Sequence, residues 1–246
     1  MTNAGLIGCG NWGKKIKIIL KKNTNLHFVS NSKSDYKKKI DKVDWVFVAT
    51  PDKTHFQIVK FLINKNKNVF CEKPLTTKIS EAKLLFSLAK KKGTKLYVSD
   101  IENFKKKILY KKNNLIIREG NFRLNYKNIL NRWFYHDFYS IFLNKKITNL
   151  RVESIKLNQK LNFVLKLNNK KYHFIYNEFS KDKKYFHNNT NFYKSKRDKL
   201  EVMIKKVLGN KVDFTFNKEV ALQAIYGVNL IKKMFYKNYN IRSKFL

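Results

Sequence analysis

Two short segments of the chain end an apolar run with residues that could bind an anion or move a proton. The segment NVFCEKPL ends with Glu72, Lys73 and Pro74, and the segment VFVATPDKTH ends with Pro51 and His55. The chain has only two prolines, and each follows what looks like a buried strand. In an open parallel sheet, ligands bind beyond the carboxyl ends of the strands. The two segments therefore predict a site built at one edge of such a sheet.

A third segment, GCGNWG, places Gly8, Gly10 and Gly13 in the spacing G-x-G-x-x-G, directly after a first apolar run. The first glycine permits a tight turn, the second lets the backbone approach a pyrophosphate, and the third lets helix and strand pack closely. The N-terminus of the following helix then faces the phosphates. A plain glycine turn is the alternative, but the flanking strand and helix favour a dinucleotide, with Asn11 and Trp12 as further contacts.

The segment after the second predicted strand bears on which nicotinamide cofactor binds. An NAD site usually has an acidic residue about 20 positions after the glycine loop, which holds the ribose 2′-hydroxyl. Ser32 and Lys33 stand in that place, and a hydroxyl beside an ammonium group suits a 2′-phosphate better. Asp35 would be the missing acid if the turn is longer. The sequence therefore favours NADP, with NAD as the alternative.

The first half of the chain alternates between apolar strands and amphipathic helices. The predicted strands are AGLIG, LHFVS, DWVFVAT, NVFC and KLYVS, with helices between them. Alternation at this spacing predicts a parallel sheet with right-handed crossovers. Thr77 or Ser80 is expected to cap the helix that Gly93 ends.

After about residue 115 the pattern becomes one of antiparallel strands. The segment LNFVLKLNNKKYHFIY predicts a hairpin turning at Asn168–Asn169, and residues 147–157 predict a further strand. The polar segment FSKDKKYFHNNTNFYKSK is expected to be a mobile loop, followed by two helices. We therefore expect an α/β protein in which residues 1–115 form a Rossmann dinucleotide-binding domain. Residues 116–246 are expected to form a smaller α+β domain, with an open, mainly antiparallel sheet, for substrate binding and oligomerisation.

The net charge of +37 raises the question of an anionic partner. Only six of the 54 basic residues are Arg, whose planar fork is preferred for recognition of phosphates and bases. The lysines are also spread along the sequence, and no nucleic-acid-binding motif is present. Drift in an AT-rich genome therefore explains the charge better than a nucleic-acid partner does.

Cys9 and Cys71 lie in separate motifs without the spacing of metal ligands, so we expect neither a disulfide nor a metal site. No apolar run approaches the length of a membrane span, and the first residues lack the features of a signal peptide. The expectation is a cytoplasmic protein without membrane association.

The motifs G-x-G-x-x-G, ATP-x-x-x-H and EKPL, in this order and spacing, resemble those of a known family. This is the glucose–fructose oxidoreductase/inositol dehydrogenase/MocA (Gfo/Idh/MocA) family of NAD(P)-dependent oxidoreductases. The resemblance covers residues 4–104, and its second motif comprises Ala49, Thr50, Pro51 and His55. More faintly, NRWFYHDFYSIFL is similar to the family segment that carries an active-site His-Asp pair. The second domain is shorter here than in most of the family.

The resemblance implies hydride transfer between nicotinamide and a hydroxyl-bearing carbon of a sugar, cyclitol or nucleotide sugar. It implies that Lys73 and His136 share the proton transfer, that Glu72 orients the lysine or touches the cofactor, and that Pro74 fixes the turn, often after a cis peptide. From the residues alone, Lys73 would be a surface lysine and His136 a core histidine. Taken together, the predicted cofactor contacts are Gly8, Gly10, Asn11, Trp12, Gly13, Ser32, Lys33, Thr50, Pro51, His55, Glu72, Lys73 and Pro74.

Arg132 stands where the family often has an aspartate, one helical turn before the histidine. An arginine there could bind a phosphate or carboxylate of the substrate, so Arg132 and Asp137 are the predicted substrate contacts. It could equally break the proton relay, which would leave a cofactor-binding sensor or partner subunit without catalysis. The second sheet often forms the oligomer interface in the family, so a homo-oligomer is a further open expectation.

Overall fold

The structure is a computed structural model that describes residues 1–31, 36–105, 108–121, 129–143, 149–157, 160–177, 179–191 and 199–239. The chain forms two compact units. The first comprises Met1–Lys105 and Asp198–Ile225, and the second comprises Lys106–Arg197 and Tyr226–Leu246. Each unit therefore consists of two separate segments of the chain. The predicted division into functional domains at residues 1–115 and 116–246 stays a prediction.

The first unit contains a five-stranded sheet in the order β2-β1-β3-β4-β5, in which every neighbouring pair is parallel. Its strands are β1 (Asn3–Ile7), β2 (Asn25–Ser30), β3 (Trp45–Val48), β4 (Asn68–Cys71) and β5 (Leu96–Val98). Helices α1 (Asn11–Asn23), α2 (Asp52–Asn64) and α3 (Ile79–Lys92) follow β1, β3 and β4. Short 3₁₀ turns occur at Tyr36–Lys38 and Ile101–Phe104. The predicted parallel sheet is confirmed.

The core of the first unit joins segments that are distant in the sequence. Helix α1 buries Ile16, Ile19 and Leu20, as its periodicity predicts. The same apolar cluster contains Met203 and Ile204 of helix α5 (Lys199–Leu208). Helix α5 therefore completes a core that the first strands and helices begin.

Helix α3 begins differently from the prediction. Its N-cap residue is Lys78, and no side chain caps the helix, so the expectation of Thr77 or Ser80 as the cap was wrong. The hydroxyl of Thr76 instead donates to the carbonyl oxygen of Lys78 at 2.7 Å, which fixes the turn before the helix. Gly93 ends the helix in the left-handed conformation, as expected.

The second unit contains a six-stranded sheet in the order β11-β10-β6-β9-β8-β7. Its strands are β6 (Asn113–Asn121), β7 (Leu150–Leu157), β8 (Leu161–Leu167), β9 (Lys170–Asn177), β10 (Phe179–His187) and β11 (Thr190–Asn191). The β6–β9 pair is parallel and the other pairs are antiparallel. The predicted hairpin is confirmed as β8 and β9, and the predicted strand as β7.

The prediction of a mobile loop after β9 was wrong for residues 179–187, which form β10. Only Tyr185 and His187 of this strand are buried, and the strand is otherwise polar. Because most of its side chains face water, the sequence lacks the apolar alternation that marks a half-buried strand.

Two helices complete the described part of the second unit. Helix α4 (Tyr135–Phe142) directly follows a π-helical turn at Leu130–Phe134. Helix α6 (Phe214–Tyr239) contributes residues to both units and buries an apolar face that includes Ala221, Ala224 and Val228. None of the helices in the described ranges is both long enough and apolar enough to cross a membrane.

Candidate cofactor site and active site

The glycine loop between β1 and α1 has a backbone that side chains would obstruct. Gly8 has a φ of +98°, and a Cβ on it would lie 2.4 Å from the carbonyl oxygen of Ala49. A Cβ on Gly13 would lie 2.1 Å from the carbonyl oxygen of Gly8. Both glycines are therefore required by the packing of the loop itself.

Gly10 differs from the other two glycines because a Cβ on it would meet no atom within 4 Å. It is the N-cap residue of α1, and the first turn of this helix has neither a side-chain cap nor an acidic residue. Open space therefore adjoins the positive end of a helix, as an anion site requires. The residues present fit the pyrophosphate of a dinucleotide.

The end of β2 lies beside this loop. The backbone N–H of Gly8 donates to the carbonyl oxygen of Ser30 at 2.7 Å. The residues predicted to distinguish NADP from NAD, Ser32, Lys33 and Asp35, lie outside the described residues. Their roles stay predictions.

Glu72 joins the first turn of α1 to the segment after β4. Its side chain is buried, and Oε1 accepts a hydrogen bond from the indole Nε1 of Trp12 at 2.5 Å. The backbone N–H of Lys73 lies 3.3 Å from Oε2. Burial raises the pKa of Glu72, although Trp12, Lys73 and the hydroxyl of Ser99 favour the charged form. The glutamate thus links the backbone of the predicted catalytic lysine to the first turn of α1, directly after the glycine loop.

His55 joins the two segments that contain the prolines. Its Nδ1 lies 2.9 Å from the carbonyl oxygen of Pro74, and its Nε2 lies 2.8 Å from that of Thr50. Burial lowers the pKa of His55, while both carbonyl oxygens favour the charged ring. The Lys73–Pro74 peptide is cis, as the resemblance implies. The structure thus shows His55 as a buried support of the site, and its predicted contact with the cofactor stays a prediction.

The predicted cofactor residues that the structure describes in the first unit meet at one edge of the sheet. Asn11 and Trp12 begin α1, while Thr50 and Pro51 connect β3 to α2. The hydroxyl of Thr54 donates to that of Thr50 at 2.7 Å, which orders this turn. Lys73 is half-buried directly after β4. The structure therefore brings the three motifs together, as ligand binding beyond the strand ends requires.

Ser99 and Asp100 are not among the site residues that the sequence predicts. In the structure both are buried directly after β5, and Asp100 accepts a hydrogen bond from the hydroxyl of Tyr97. Burial and the nearby Asp100 carboxylate raise the pKa of Tyr97. Since Ser99 also hydrogen bonds to Glu72, this turn supports the site. Its position at the end of a predicted strand was the signal that could have identified it.

His136 and Asp137 are neighbours in α4 but have different environments. His136 is half-buried, whereas Asp137 is 0% exposed. Arg118 donates to both oxygens of Asp137 at 2.7–3.0 Å, and the hydroxyl of Tyr176 donates to Oδ2 at 2.7 Å. Burial alone would raise the pKa of Asp137, but Arg118 and His187 outweigh it and hold that pKa well below its usual range. The structure therefore shows Asp137 as an interior ion-pair partner, and its predicted contact with substrate stays a prediction.

The remaining predicted site residues belong to different parts of the molecule. Arg132 lies in the π-helical turn before α4, but its side chain is outside the described residues. Lys73 belongs to the first unit and His136 to the second, so their joint role stays a prediction. In the described ranges, no group of three or more His, Cys, Asp or Glu side chains could hold a metal ion.

Comparison with known proteins finds a family of oxidoreductases that part of the chain resembles. Residues 14–100 match the model of a family described as "Oxidoreductase family, NAD-binding Rossmann fold", the GFO_IDH_MocA model. This range contains both the ATPDKTH and the EKPL segments. Residues 14–100 are therefore similar to the Gfo/Idh/MocA family of oxidoreductases.

The curated relatives share only the first part of the chain. An uncharacterized oxidoreductase of Schizosaccharomyces pombe is 39% identical over 62 residues, which are 25% of this chain and 17% of the relative. An oxidoreductase of Formosa agariphila is 29% identical over 119 residues, covering 39% of this chain and 37% of the relative. The chain therefore matches well under half the length of these relatives.

Solved structures resemble the chain over nearly all of its length. A UDP-N-acetylglucosamine 3-dehydrogenase, GnnA from Acidithiobacillus ferrooxidans, has a TM-score of 0.81 at 14% identity, covering 95% of this chain and 97% of its own. The WlbA dehydrogenase from Thermus thermophilus, solved with NAD and UDP-GlcNAcA, has a TM-score of 0.75 at 13% identity, covering 94% and 95%. A putative myo-inositol dehydrogenase from Sinorhizobium meliloti has a TM-score of 0.76 at 13% identity, covering 97% and 98%. At these identities the comparison shows a shared fold, which confirms the predicted fold class.

Proposed function

We propose that the protein is an NAD(P)-dependent dehydrogenase that acts on a hydroxyl-bearing carbon of a sugar, cyclitol or nucleotide sugar. The observation that carries this proposal is the Trp12–Glu72 hydrogen bond. It joins the open cradle at Gly10 to the segment that presents Lys73. The proposed cofactor cradle and the proposed proton-transfer group are thereby joined, although their segments lie 60 residues apart in the sequence.

The residues of the chain would divide the work as follows. A bound nicotinamide supplies the hydride chemistry. The backbone at Gly10 and the first turn of α1 bind the pyrophosphate, while Glu72 fixes the backbone of Lys73. The Lys73 amine exchanges the proton of the substrate hydroxyl, and His136 is the second proton-transfer group.

An anionic nucleotide sugar is the substrate class that we favour. The net charge of +37 attracts anions, and Arg132 stands where the family often has an aspartate. Two structurally similar proteins are associated with UDP-sugars: GnnA is a UDP-N-acetylglucosamine 3-dehydrogenase, and WlbA was solved in complex with UDP-GlcNAcA. The alternative substrate class is a cyclitol, because the chain also resembles the putative myo-inositol dehydrogenase in fold.

The finer predictions of cofactor, location and assembly complete the proposal. NADP is favoured over NAD because Ser32 and Lys33 stand where an acidic residue would select NAD. A cytoplasmic location rests on the two separated cysteines, and a homo-oligomer rests on the family resemblance alone.

Calorimetric titration of the cofactor-free protein with NADPH and with NADH tests the base of the proposal. We expect micromolar binding, tighter for NADPH. Tighter binding of NADH would reject Ser32 and Lys33 as the phosphate-binding pair and support Asp35. If neither cofactor binds, the proposal of an NAD(P)-dependent dehydrogenase is rejected, and the basic surface becomes the feature to explain.

Turnover assays then test catalysis. Wild-type protein is incubated with the preferred cofactor and a set of UDP-sugars, sugars and cyclitols, and absorbance of the reduced nicotinamide is followed. We expect turnover by wild type and a loss of about 100-fold or more in kcat for Lys73→Ala. Cofactor binding without turnover on any substrate would instead support the non-catalytic sensor, which Arg132 in place of an acid favours.

A further inference from the structure

Side chains from three adjacent strands of the second sheet converge on Asp137 in α4. Arg118 of β6 donates three hydrogen bonds to its carboxylate, and Tyr176 of β9 donates one. On β10, the Nε2 of His187 lies 3.3 Å from Oδ1, and the ring of Tyr185 lies 3.6 Å from the guanidinium carbon of Arg118. We call these five residues the Asp137 network.

The network is an unusual way to pack a helix on a sheet. The side chain of Asp137 is fully buried, and that of Arg118 is 13% exposed. Burying two charges loses so much hydration that apolar residues of similar volume often give equal or greater stability. The best-attested use of such a pair is to select one arrangement among several. Because the guanidinium fork meets both carboxylate oxygens, it fixes direction as well as distance.

The arrangement that the network selects is that of α4. The π-helical turn at Leu130–Phe134 comes directly before this helix. Such turns change the register of a helix and often occur at functional sites. A helix that follows one needs a separate constraint on its rotation and its position along the axis. Asp137 sits in the first turn of α4, so the network supplies that constraint where the register changes.

His136 is the immediate neighbour of Asp137. With 3.6 residues in each turn, adjacent residues point about 100° apart, so fixing the direction of Asp137 fixes that of His136. We propose that the Asp137 network is the positioning device for the His136 imidazole. The catalytic role of His136 in this proposal rests on the proposed function. The claim that the network fixes the position of His136 rests on the network alone. Asp137 is thus a positioning residue that acts from the interior.

The test uses a matched pair of tyrosines on β9. Tyr176→Phe removes one hydrogen bond from Asp137, while Tyr172→Phe makes the same change at a buried tyrosine of the same strand that is outside the network. Imidazole NMR signals of the cofactor-free protein are recorded, and the five histidines are assigned by single His→Gln variants. We expect the His136 signals to shift in Tyr176→Phe and to stay unchanged in Tyr172→Phe. Unchanged His136 signals in folded Tyr176→Phe would overturn the proposal.

Kinetics give the second measurement. Misplacement of a catalytic group by about 1 Å can cost about 100-fold in rate, so we expect Tyr176→Phe to lower kcat about 10-fold or more. Its Kd for the cofactor should match that of wild type. A kcat equal to that of Tyr172→Phe would overturn the positioning role. A wild-type protein without turnover would reject the proposed function, whereas the NMR comparison would still decide whether the network controls His136.

Discussion

The three glycines of one motif have different physical reasons to be glycine. Gly8 and Gly13 would bring a Cβ against backbone atoms, whereas a Cβ at Gly10 would enter open space. The sequence pattern alone does not distinguish these cases. Folding of the loop therefore requires glycine at positions 8 and 13, whereas only binding of a ligand would require glycine at position 10.

Substitution by alanine tests this separation. Gly10→Ala should unfold in urea like wild type but bind the cofactor at least about tenfold more weakly, since the methyl group occupies the space next to the pyrophosphate. Gly13→Ala should lose about 1–3 kcal/mol of stability or more, because its Cβ overlaps the carbonyl oxygen of Gly8. Equal stability of the two variants would contradict the geometry of the loop.

Glu72 carries a cost in stability that depends on pH. Burial raises the pKa of Glu72, so the folded protein binds this proton more tightly than the unfolded chain does. The contribution of Glu72 to stability is therefore fully present below the unfolded pKa of about 4.3 and is lost as the pH rises through the folded pKa. Glu72→Gln, which stays neutral and keeps an acceptor for Trp12, should raise the urea midpoint more at pH 8 than at pH 4.

The control for this measurement is Glu81→Gln, a change at a half-buried glutamate of α3 whose carboxylate pairs with Lys78, the N-cap residue of that helix. Its urea midpoint should follow that of wild type at both values of pH. A Glu72→Gln midpoint that differs from wild type equally at pH 4 and pH 8 would show that ionisation of Glu72 does not affect stability.

Strand β5 is the edge of the first sheet, and a side chain substitutes for the missing neighbouring strand. The Oδ1 of Asn217 in α6 accepts from the backbone N–H of Val98 at 2.9 Å, and its Nδ2 donates to the carbonyl oxygen of Val98 at 2.9 Å. Asn217 is 1% exposed, so both backbone groups depend on this one amide.

Asn217→Leu tests the contribution of this edge contact. Leucine has similar volume but leaves a buried donor and a buried acceptor of Val98 unsatisfied, at about 1–3 kcal/mol for each group. We expect a loss of about 2–6 kcal/mol in the free energy of unfolding, measured in urea. Asn64→Leu, at the exposed end of α2, should stay within about 0.5 kcal/mol of wild type. A similar small change at Asn217 would show that water or backbone movement satisfies Val98.

The contribution of Asp137 in α4 to stability depends on pH in the opposite direction from that of Glu72. The pKa of Asp137 is lowered in the folded protein, so its contribution is present above the unfolded pKa of about 3.9 and lost as the pH falls through the folded pKa. Hydrogen exchange of amides in β6 and β9 should therefore accelerate below about pH 4, after correction for intrinsic rates. Asp137→Asn should lose about 3–5 kcal/mol at pH 7, and its difference from wild type should shrink in acid. A difference that stays constant with pH would contradict the ion pair.

The elements that were predicted correctly from the sequence are those that neighbouring residues alone identify. Strands β3 and β4 are almost wholly apolar because both faces are buried, and the EKPL segment carries its chemistry in consecutive residues. Strand β10 was missed because its inward residues include His187, whose partner Asp137 lies 50 positions earlier. A polar residue facing the interior is invisible to a search for apolar periodicity. For the same reason the candidate site was predicted in its loops but not in its supports, such as Ser99 and the Asp137 network.

At the scale of the whole molecule, the charge of +37 should govern encounters with anions. The field of so many lysines accelerates association with phosphorylated ligands and is screened by salt. We expect the association rate for NADPH to fall more steeply with ionic strength than that for NADH, since NADPH carries one more phosphate. Stopped-flow measurements from about 20 to 500 mM salt would show this. Equal slopes would mean that the lysines act as a solvated surface without steering.

The order in which the ribosome releases the chain gives the interleaved core a biological consequence. Residues of α5 and the first turns of α6 belong to the first unit, although the strands of the second unit are synthesised before them. The nascent five-stranded sheet therefore lacks the α5 neighbours of Ile16, Ile19 and Leu20 until nearly 100 further residues have been translated. During that interval the chain presents an apolar surface to chaperones. A chain whose synthesis stopped before α5 would keep this apolar surface exposed, so α5 is the element that completes the core of the first unit.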